Sequence, residues 1–267
     1  MILVNVLALV AVAAAVVMMM LGVEDPALDR AIKLREAAQA LAVANGGELT
    51  AVVALRRDMT TGPGSDDPTE PWAKVAQAKT PIAGGSFTLT IADAQGRFNV
   101  NAAGGGGEPA LAAITTSLGL APDIASRIAK SIADRGRIDT LDELARAGID
   151  AETIAALRPL VTALPGKADV NVNAASIGVL APLLGDKVGA RILVDRRDRA
   201  GRLTPLDFAA TGLSLPAGTG FTSDHFVVTT TVTIGGTTQT LTSLLERRHG
   251  KPPSVVAISR QRGVAGG

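Results

Sequence analysis

The chain has 267 residues, 47% of them apolar, so it is long enough to build a buried core of its own. Its 26 basic and 25 acidic side chains leave a formal charge of +1, which provides no overall attraction to a polyanion such as DNA. The chain contains no cysteine, which excludes disulfide bonds, a thiolate nucleophile and cysteine-ligated zinc.

The first 23 residues, Met1–Val23, contain no charged side chain. As a helix they are about 34 Å long, against a hydrocarbon core of about 30 Å. A cleaved secretory signal is one alternative, but such a signal has a basic n-region and a shorter apolar region. A buried core helix is another, although it would be unusually apolar on all sides. The sequence therefore predicts a retained transmembrane helix over residues 1–23.

Residues 24–58 are predicted to continue this helix beyond the membrane in amphipathic form. Leu28, Ile32 and Leu41 recur at helical spacings, while charged residues lie elsewhere around the helix. Pro26 is expected to kink the helix because it removes an amide donor. The pair Gly46 and Gly47 is expected to interrupt or loosen it.

A polar segment follows, "TTGPGSDDPTEP" at residues 60–71. Its turn-forming residues predict an irregular loop, and its polarity predicts that the loop is solvated. Asp66, Asp67 and Glu70 are an alternative set of calcium ligands, but their spacing lacks the EF-hand pattern.

Strand patterns lie on both sides of a long helical region. Within residues 59–101, Phe87, Leu89 and Ile91 share one face of a strand. Residues 218–261 alternate in the same way, and Gly235 with Gly236 predicts a tight hairpin. Residues 262–267 are expected to form a flexible tail.

The helical region, residues 102–217, begins with a repeated motif. Asn99 and Asn101 of "NVNAA" recur as Asn171 and Asn173. Each copy leads into a helix, a Gly-Arg turn and a further capped helix, with caps at Thr140 and Thr204. Because asparagine side chains bond nearby backbone groups, these four asparagines are predicted to shape turns rather than to act chemically.

Apolar residues at helical spacing predict two helices in this region. Ile124, Ile128 and Ile132 step by four in the first unit, and Val188 and Ile192 do so in the second. The charged run "DRRDR" at residues 195–199 alternates in sign, which is typical of a solvated helix end.

Catalytic motifs are absent from the sequence. His225 lies in a strand pattern and His249 beside two arginines, and neither has a partner spaced to complete a metal site. The glycines of "AGGGGE" lack the strand and helix context of a dinucleotide site. These observations predict that the chain is not an enzyme and has no small-molecule substrate.

With these residues in view, nearly the whole chain resembles the type II secretion minor pseudopilins of the general secretion pathway protein K family. The resemblance is carried by five segments taken in order: "DDPTEPWAKV" around Trp72, "GGSFTLTIADAQGRFNVNAA", "IDTLDELARAGI", "VTALPGKADVNVNAASIGVLAPLL", and "DHFVVTTTVTI" with "SLLERR".

This resemblance implies an α+β fold: a long N-terminal helix, a pilin-like antiparallel sheet and an inserted α-helical domain with two helix-hairpin-helix-like, SAM-like repeats. It also implies a single-pass protein of the inner membrane with its globular part in the periplasm, located at the pseudopilus tip. The implied partners are the minor pseudopilins I and J, with H as a further candidate, and the inner-membrane assembly platform. A prepilin peptidase joins them if a leader precedes Met1.

Three further expectations come from the resemblance. Asn5 stands where other pseudopilins carry a glutamate, and a subunit at the tip has no neighbour above it for such a charge to meet. Trp72 and the four asparagines are expected to serve structure and assembly. No cofactor is expected apart from calcium, which the family implies and for which no ligand can be assigned.

A second class remains open, because residues 170–208 also resemble the helix-hairpin-helix module of membrane-anchored competence DNA receptors. Such hairpins present backbone amides to phosphates. Here the hairpin positions are Gly185, Asp186, Lys187, Val188 and Gly189, and a carboxylate at Asp186 would repel a phosphate.

Overall fold

The structure, a computed structural model, describes residues 2–62 and 64–263. It opens with one continuous helix, α1 (Ile2–Thr61), which is about 90 Å long at 1.5 Å per residue. Its segment Ile2–Met20 is long and apolar enough to cross a membrane, and none of that segment is buried within the chain. The predicted transmembrane helix is therefore the first part of α1, with Met1 outside the described residues.

The expected interruption at Gly46 and Gly47 is wrong, because α1 runs through both glycines. Gly47 is buried against the sheet, where a Cβ atom would lie 2.7 Å from Oγ1 of Thr230, whereas nothing lies within 4 Å of a Cβ at Gly46. Gly47 thus permits a close approach of helix and sheet. The helix also runs through Pro26, and the second membrane-length segment, Pro26–Thr61, is the part that packs on the protein.

A short helix, α2 (Pro71–Lys74), leads into the sheet. Five antiparallel strands lie in the spatial order β1-β2-β7-β8-β9. Their bounds are β1 (Gln77–Ile82), β2 (Gly85–Asp93), β7 (His225–Ile234), β8 (Thr237–Arg248) and β9 (Ser254–Gly263). The hairpin predicted at Gly235 is confirmed, with Ile234 paired to Thr237. Strand β1 was not predicted.

One face of this sheet packs on α1. The predicted alternation of β7 is confirmed, since its inward residues are all buried: Phe226, Val228, Thr230, Val232 and Ile234. Opposite them lie the small or aliphatic side chains Ala40, Ala44, Ala51 and Leu55 of α1. Small residues on the helix and β-branched residues on the strand let the two elements meet closely.

Between β2 and β7 the chain forms a helical unit with a hydrophobic cluster of its own, reaching from Phe98 to Phe208. Its helices are α3 (Glu108–Ser117), α4 (Ile124–Arg135), α5 (Ala151–Leu157), α6 (Ile177–Leu184), α7 (Lys187–Ala200) and α8 (Pro205–Thr211), with 3-10 turns at Ala94–Gly96, Val100–Gly105 and Leu141–Ala147. Two short parallel pairs, β3 (Phe98–Asn99) with β4 (Val161–Thr162) and β5 (Val170–Asn171) with β6 (Thr219–Gly220), complete it.

Both helices predicted in this unit from apolar residues four positions apart are confirmed, as α4 and α7. Ile124, Ile128 and Ile132 of α4 are buried. The corresponding residues of α7, Val188 and Ile192, are instead 71% and 48% exposed. Helix α7 buries Gly189, Ala190, Leu193 and Val194, which also repeat every four residues. Two faces of this helix therefore carry apolar residues, and periodicity alone does not choose between them.

The capped helix starts of both units are confirmed. Thr140 with Glu143 and Thr204 with Asp207 form capping boxes, and Gly136 and Gly201 end α4 and α7. The division of the chain into domains stays a prediction. Of the expected flexible tail, Arg262 and Gly263 belong to β9, and residues 264–267 lie outside the described part.

Candidate functional site

The three carboxylates of the loop before α2 are buried, so the prediction of a solvated loop is wrong for its acidic residues, although neighbouring residues such as Gly64, Pro68 and Thr69 are exposed. Asp66, Asp67 and Glu70 are only 3%, 2% and 4% exposed. Asp67 accepts hydrogen bonds from the amide of Thr69 at 2.8 Å and from its hydroxyl at 2.5 Å, which folds the loop upon itself. Burial of three carboxylates requires partners, because an uncompensated charge is costly away from water.

The main partner is Arg247, a buried arginine of β8 that sequence reasoning did not identify. Its Nη1 donates to Oδ1 of Asp66 at 2.6 Å, and its Nη2 donates to Oδ2 of Asp58 at 2.7 Å. The guanidinium lies 4.5 Å from the ring centre of Phe226, a favourable cation–π distance. A single arginine thus connects α1, the acidic loop and the sheet.

Glu70 is bound by Trp72 rather than by an arginine. The indole Nε1 of Trp72 donates to Oε2 of Glu70 at 2.6 Å, and Oε1 of Glu70 has no partner in the described structure. Burial raises the pKa of Glu70 to about 7, with the nearby charges of Asp58 and Asp66 acting in the same direction. Trp72 itself is buried and meets Phe226 edge to face at 5.0 Å.

A second buried network joins the helical unit to the sheet. The side-chain Nδ2 of Asn171 donates to Oδ2 of Asp93 at 2.8 Å, to the carbonyl of Asp66 at 2.9 Å and to Oγ of Ser223 at 3.1 Å. Ser223 also donates from Oγ to Asp93 at 2.6 Å and from its backbone amide to Asp66 at 2.8 Å. Burial raises the pKa of Asp93 to about 6.

The second asparagine of each motif does the same task in both copies. Oδ1 of Asn101 accepts from the amide of Ile138 at 2.9 Å, and Oδ1 of Asn173 accepts from the amide of Leu203 at 2.7 Å. Ile138 and Leu203 each follow a Gly-Arg pair, so these bonds tie the start of each unit to its turn. The repeated motif is therefore repeated in hydrogen bonding as well as in sequence.

The first asparagine of each motif binds a different part of the structure in the two copies. Both Asn99 and Asn171 accept from the amide two residues later, at 3.2 and 2.9 Å. The side-chain nitrogen of Asn99 then donates within its own unit, to Leu164 at 3.2 Å. That of Asn171 instead reaches the acidic loop and the sheet, which makes the second copy the attachment point of the helical unit.

The calcium site implied by the family resemblance has one matching cluster in the described residues. Oxygen atoms of Asp58, Asp66 and Glu70 lie within 4.8 Å of one another. However, Arg247 already neutralises two of these carboxylates, and the indole of Trp72 occupies one oxygen of the third. A calcium ion would have to compete with the guanidinium, so the donor set as arranged does not fit it.

The hairpin of the DNA-receptor alternative is closed by its own carboxylate. Oδ1 of Asp186 accepts from the amides of Val188 and Gly189, both at 2.9 Å. These are two of the amides in the first turn of α7 that have no acceptor within the helix and that a phosphate would otherwise contact. The side chain of Asp186 therefore satisfies the groups that a phosphate would need.

The charged run of residues 195–199 is only in part a solvated helix end. Nη1 of Arg197 donates to the carbonyls of Val172 and Ala175, at 3.1 and 2.5 Å, and its side chain is 15% exposed. Arg196 pairs with Asp207 at the start of α8. Both arginines therefore stabilise the second unit.

The remaining predicted residues lie apart from these networks. Asn5 is exposed on the membrane segment of α1. His225 is buried beside Gln95, with Nδ1 3.1 Å from Oε1, and burial lowers its pKa. His249 is exposed and contacts Asp224 at 2.6 Å. None of these three joins the cluster around Arg247.

Comparisons with known proteins agree with the predicted resemblance. No family model matches the chain. Type II secretion system protein K of Pseudomonas aeruginosa is 28% identical over 274 aligned residues, which cover 85% of this chain and 82% of that protein. The resemblance to the protein K family is thereby confirmed.

A solved structure gives the same result at the level of the fold. The match is a chain in the crystal structure of the GspK-GspI-GspJ complex from the type 2 secretion system of enterotoxigenic Escherichia coli. The TM-score is 0.69 at 20% identity, and the alignment covers 88% of this chain and all of that one. The expected fold of helix and antiparallel sheet is confirmed, whereas the assignment of helix-hairpin-helix repeats stays a prediction.

Proposed function

We propose that this chain is a minor pseudopilin of a type II secretion system and that it caps the pseudopilus tip. In this role it supports pseudopilus initiation and thereby the export of folded proteins across the outer membrane. The observation that carries the proposal is the coverage of the relatives, since both alignments run over most of the chain rather than over one module.

The architecture supports an anchored, structural role. An exposed apolar segment, Ile2–Met20, continues without a break into the helix that packs on the sheet. We propose that this segment holds the chain in the inner membrane, with the sheet and the helical unit in the periplasm. The buried networks around Arg247 and Asn171 then serve to attach the sheet and the helical unit to α1. No enzymatic activity is proposed.

The proposed partners are the counterparts of the I and J subunits, because the matched chain was crystallised in complex with GspI and GspJ. The test is to co-express the full chain with the I and J proteins of the same system, extract the membranes with detergent and purify by a tag on this chain. Co-elution of all three proteins in gel filtration is expected. Separate elution of the three at micromolar concentration would contradict the proposal.

A secretion assay tests the function itself. Deletion of residues 2–20 is expected to abolish export, because the chain then loses its membrane anchor. Asn5→Glu is expected to impair export less than this deletion, since a tip subunit needs no charge at that position to bind a neighbour above it. Equal loss of export in both variants would contradict this role of Asn5.

The DNA-receptor alternative receives no support from the comparisons, and it has its own test. Duplex DNA is titrated into the detergent-solubilised chain at low and high salt, because phosphate contacts weaken steeply as salt rises. No binding is expected. Affinity at low salt that falls when Lys187 and Arg191 are replaced by glutamate would favour the alternative.

A further inference from the structure

The two helical units share one frame of buried residues and turns. Helices α4 and α7 end at Gly136 and Gly201, and the buried positions counted back from these glycines coincide. The coinciding buried residues are Ile124 with Gly189, Ala125 with Ala190, Ile128 with Leu193, and Ala129 with Val194. Each unit then closes a second helical segment at a glycine in the left-handed region, Gly148 at φ 75° and Gly212 at φ 69°. The first unit therefore shows which side chains this frame accepts at each exposed position.

The exposed positions of this frame carry charges in the first unit and apolar side chains in the second. Counted from the same glycines and from the caps Thr140 and Thr204, the matched pairs are Asp123 with Val188, Arg127 with Ile192, Asp142 with Leu206, and Arg146 with Ala210. In the first unit, the carboxylate of Asp123 and the guanidinium of Arg127 form an ion pair at 3.4 Å. The fold does not require apolar residues at these positions, because the first unit builds the same frame with charged ones.

The four apolar residues of the second unit lie on two helices that run side by side, and we call them the apolar face: Val188, Ile192, Leu206 and Ala210. Asp207 in the first turn of α8 pairs with Arg196 late in α7. Leu213, just beyond the end of α8, lies 2.6 Å from a Cβ placed on Gly189 early in α7. In residues 64–263 five large apolar side chains are exposed, and four of them fall within residues 188–215. A concentration of exposed apolar residues is typical of a contact with another protein.

Two cations flank the apolar face on α7. Lys187 and Arg191 are exposed, and no salt bridge involves either within residues 2–62 and 64–263. The matched positions of the first unit, 122 and 126, are an uncharged proline and serine. Asp195 and Arg199, further along α7, have opposite signs four residues apart, so they add no net charge. The apolar face therefore has a basic edge that the first unit lacks.

Position and charge exclude three other occupants. Lipid does not reach this unit, because Asn171 ties it to Asp66, beyond the end of α1 and about 60 Å along that helix from Met20, at about 1.5 Å per residue. A symmetric pair of copies would bring the two cations of both chains together, which is repulsive. A phosphate backbone gains nothing from an apolar centre, and Asp186 already accepts from the amides that it would contact.

We propose that the apolar face is the docking surface for an acidic amphipathic helix of a different protein. The apolar side of that helix packs on Val188, Ile192 and Leu206, and its carboxylates lie against Lys187 and Arg191. The side-by-side pair α7 and α8 offers the ridges and grooves on which a third helix packs, and the small side chain of Ala210 allows it to approach closely. This contact goes beyond the secretion role and does not depend on it.

A labelled peptide tests the surface directly. The probe is a helical peptide of about 18 residues, or five turns, with leucines on one side and glutamates on the other, and its counterpart has lysines in place of the glutamates. Each is titrated by fluorescence anisotropy into the full chain in lipid nanodiscs, with empty nanodiscs as the blank. The unmodified chain is expected to bind the glutamate peptide at least tenfold more tightly than the lysine peptide, because Lys187 and Arg191 attract only the former.

The first unit supplies the variant that removes the face and keeps the frame. Val188→Asp, Ile192→Arg and Leu206→Asp together give the second unit charges that the first unit carries. This triple variant is expected to keep its melting temperature and to bind the glutamate peptide at least tenfold more weakly. Leu118→Asp is the matched control, because Leu118 is an apolar residue outside the face and 37% exposed, and it is expected to bind the peptide as the unmodified chain does.

Charge reversal at the basic edge gives a second measurement that leaves the apolar residues in place. Lys187→Glu with Arg191→Glu is expected to reverse the preference between the two peptides, since the lysine peptide then meets the opposite charge. A chain that keeps the same preference after this change would contradict the role of the two cations.

Photocrosslinking in the native cells tests the natural partner. Because the chain contains no cysteine, Val188→Cys carries a single maleimide-benzophenone, and Asp123→Cys labels the matched position of the first unit. Mass spectrometry is expected to find, at position 188 and not at position 123, one segment of a different protein with apolar and acidic residues at helical spacing. An adduct counts as support only when the crosslinked segment has this composition.

Several outcomes would overturn the proposal. They are equal binding of the glutamate peptide by the unmodified chain and the triple variant, equal affinity for both peptides, and adducts at position 188 only to lipid, to nucleic acid, to a second copy or to nothing. The proposed function is independent of these results, because its own test is co-purification with the I and J proteins.

Discussion

Arg247 and Asp66 form a buried ion pair, with 2.6 Å between Nη1 and Oδ1, that joins residues 181 positions apart in the sequence. Both side chains are 5% exposed. The pair lies where α1, the acidic loop and β8 meet, and Asp66 is also bound by Asn171 and Ser223 of the neighbouring network. The same guanidinium also binds Asp58 of α1, so Arg247 links the sheet, the acidic loop and the long helix.

Removal of this arginine is predicted to be severely destabilising. Arg247→Gln leaves Asp58 and Asp66 buried without a counter-charge, which costs about 3 to 5 kcal/mol. Arg248→Gln is the matched control, because Arg248 is 57% exposed and its pair with Glu246 is worth about 1 kcal/mol at most. Thermal unfolding of the detergent-solubilised chain measures both. Similar melting temperatures for the two variants would show that the buried pair does not stabilise the fold.

The stability of the chain is predicted to depend on the protonation of Glu70. Its pKa is raised to about 7 in the folded protein from an ordinary value of 4.5, so the folded state binds more protons than the unfolded state between these values. The contribution of Glu70 to stability is therefore present at low pH and is lost as the pH rises through about 7.

Glu70→Gln isolates this effect because glutamine keeps an oxygen for the indole of Trp72 and does not titrate. Between pH 5.5 and pH 8 the unmodified chain is expected to lose about 2 kcal/mol more stability than the variant does. Melting temperatures across this pH range measure the difference. Parallel profiles for the two proteins would contradict the raised pKa.

The two neighbouring glycines of α1 are predicted to respond in opposite ways. Gly47→Ala places a methyl group 2.7 Å from Oγ1 of Thr230, so either the helix or the buried Thr230 side chain must shift. We expect a loss of about 1 to 3 kcal/mol, as for other overpacked sites. Gly46→Ala meets nothing within 4 Å and is expected to stabilise the helix by about 1 kcal/mol. Thermal unfolding of the two variants is the measurement, and stabilisation by both would contradict the close approach at Gly47.

The hydrogen bonds of the repeated motif predict matched losses in both units. Asn101→Ala leaves the amide of Ile138 without its side-chain acceptor, and Asn173→Ala does the same to Leu203. Each is expected to cost about 1 to 3 kcal/mol, the penalty for an unsatisfied buried donor. Asn45→Ala, on the exposed surface of α1, is the control and is expected to cost less than about 0.5 kcal/mol. A loss in only one unit would show that the two turns are not equivalent.

The sequence by itself determined the elements whose signals are local. The charge-free run forms a long helix, and the alternating residues of β7 form a half-buried strand. Gly235 marks a turn, and the capping residues Thr140 and Thr204 mark helix starts. Each of these signals depends only on neighbours a few residues away in the chain. The order of these elements along the chain also carries the resemblance to the protein K family.

The tertiary structure decided which polar groups are buried and which helix faces are covered. The loop has the composition of a solvated turn, and the burial of Asp66 is compensated by Arg247 and Ser223, which lie far along the chain. Val188 and Leu193 are equally apolar, and only the packing of α7 buries one and exposes the other. Both outcomes depend on contacts between residues that are distant in the chain. The local periodicity of a helix or loop does not indicate which distant segment packs against it.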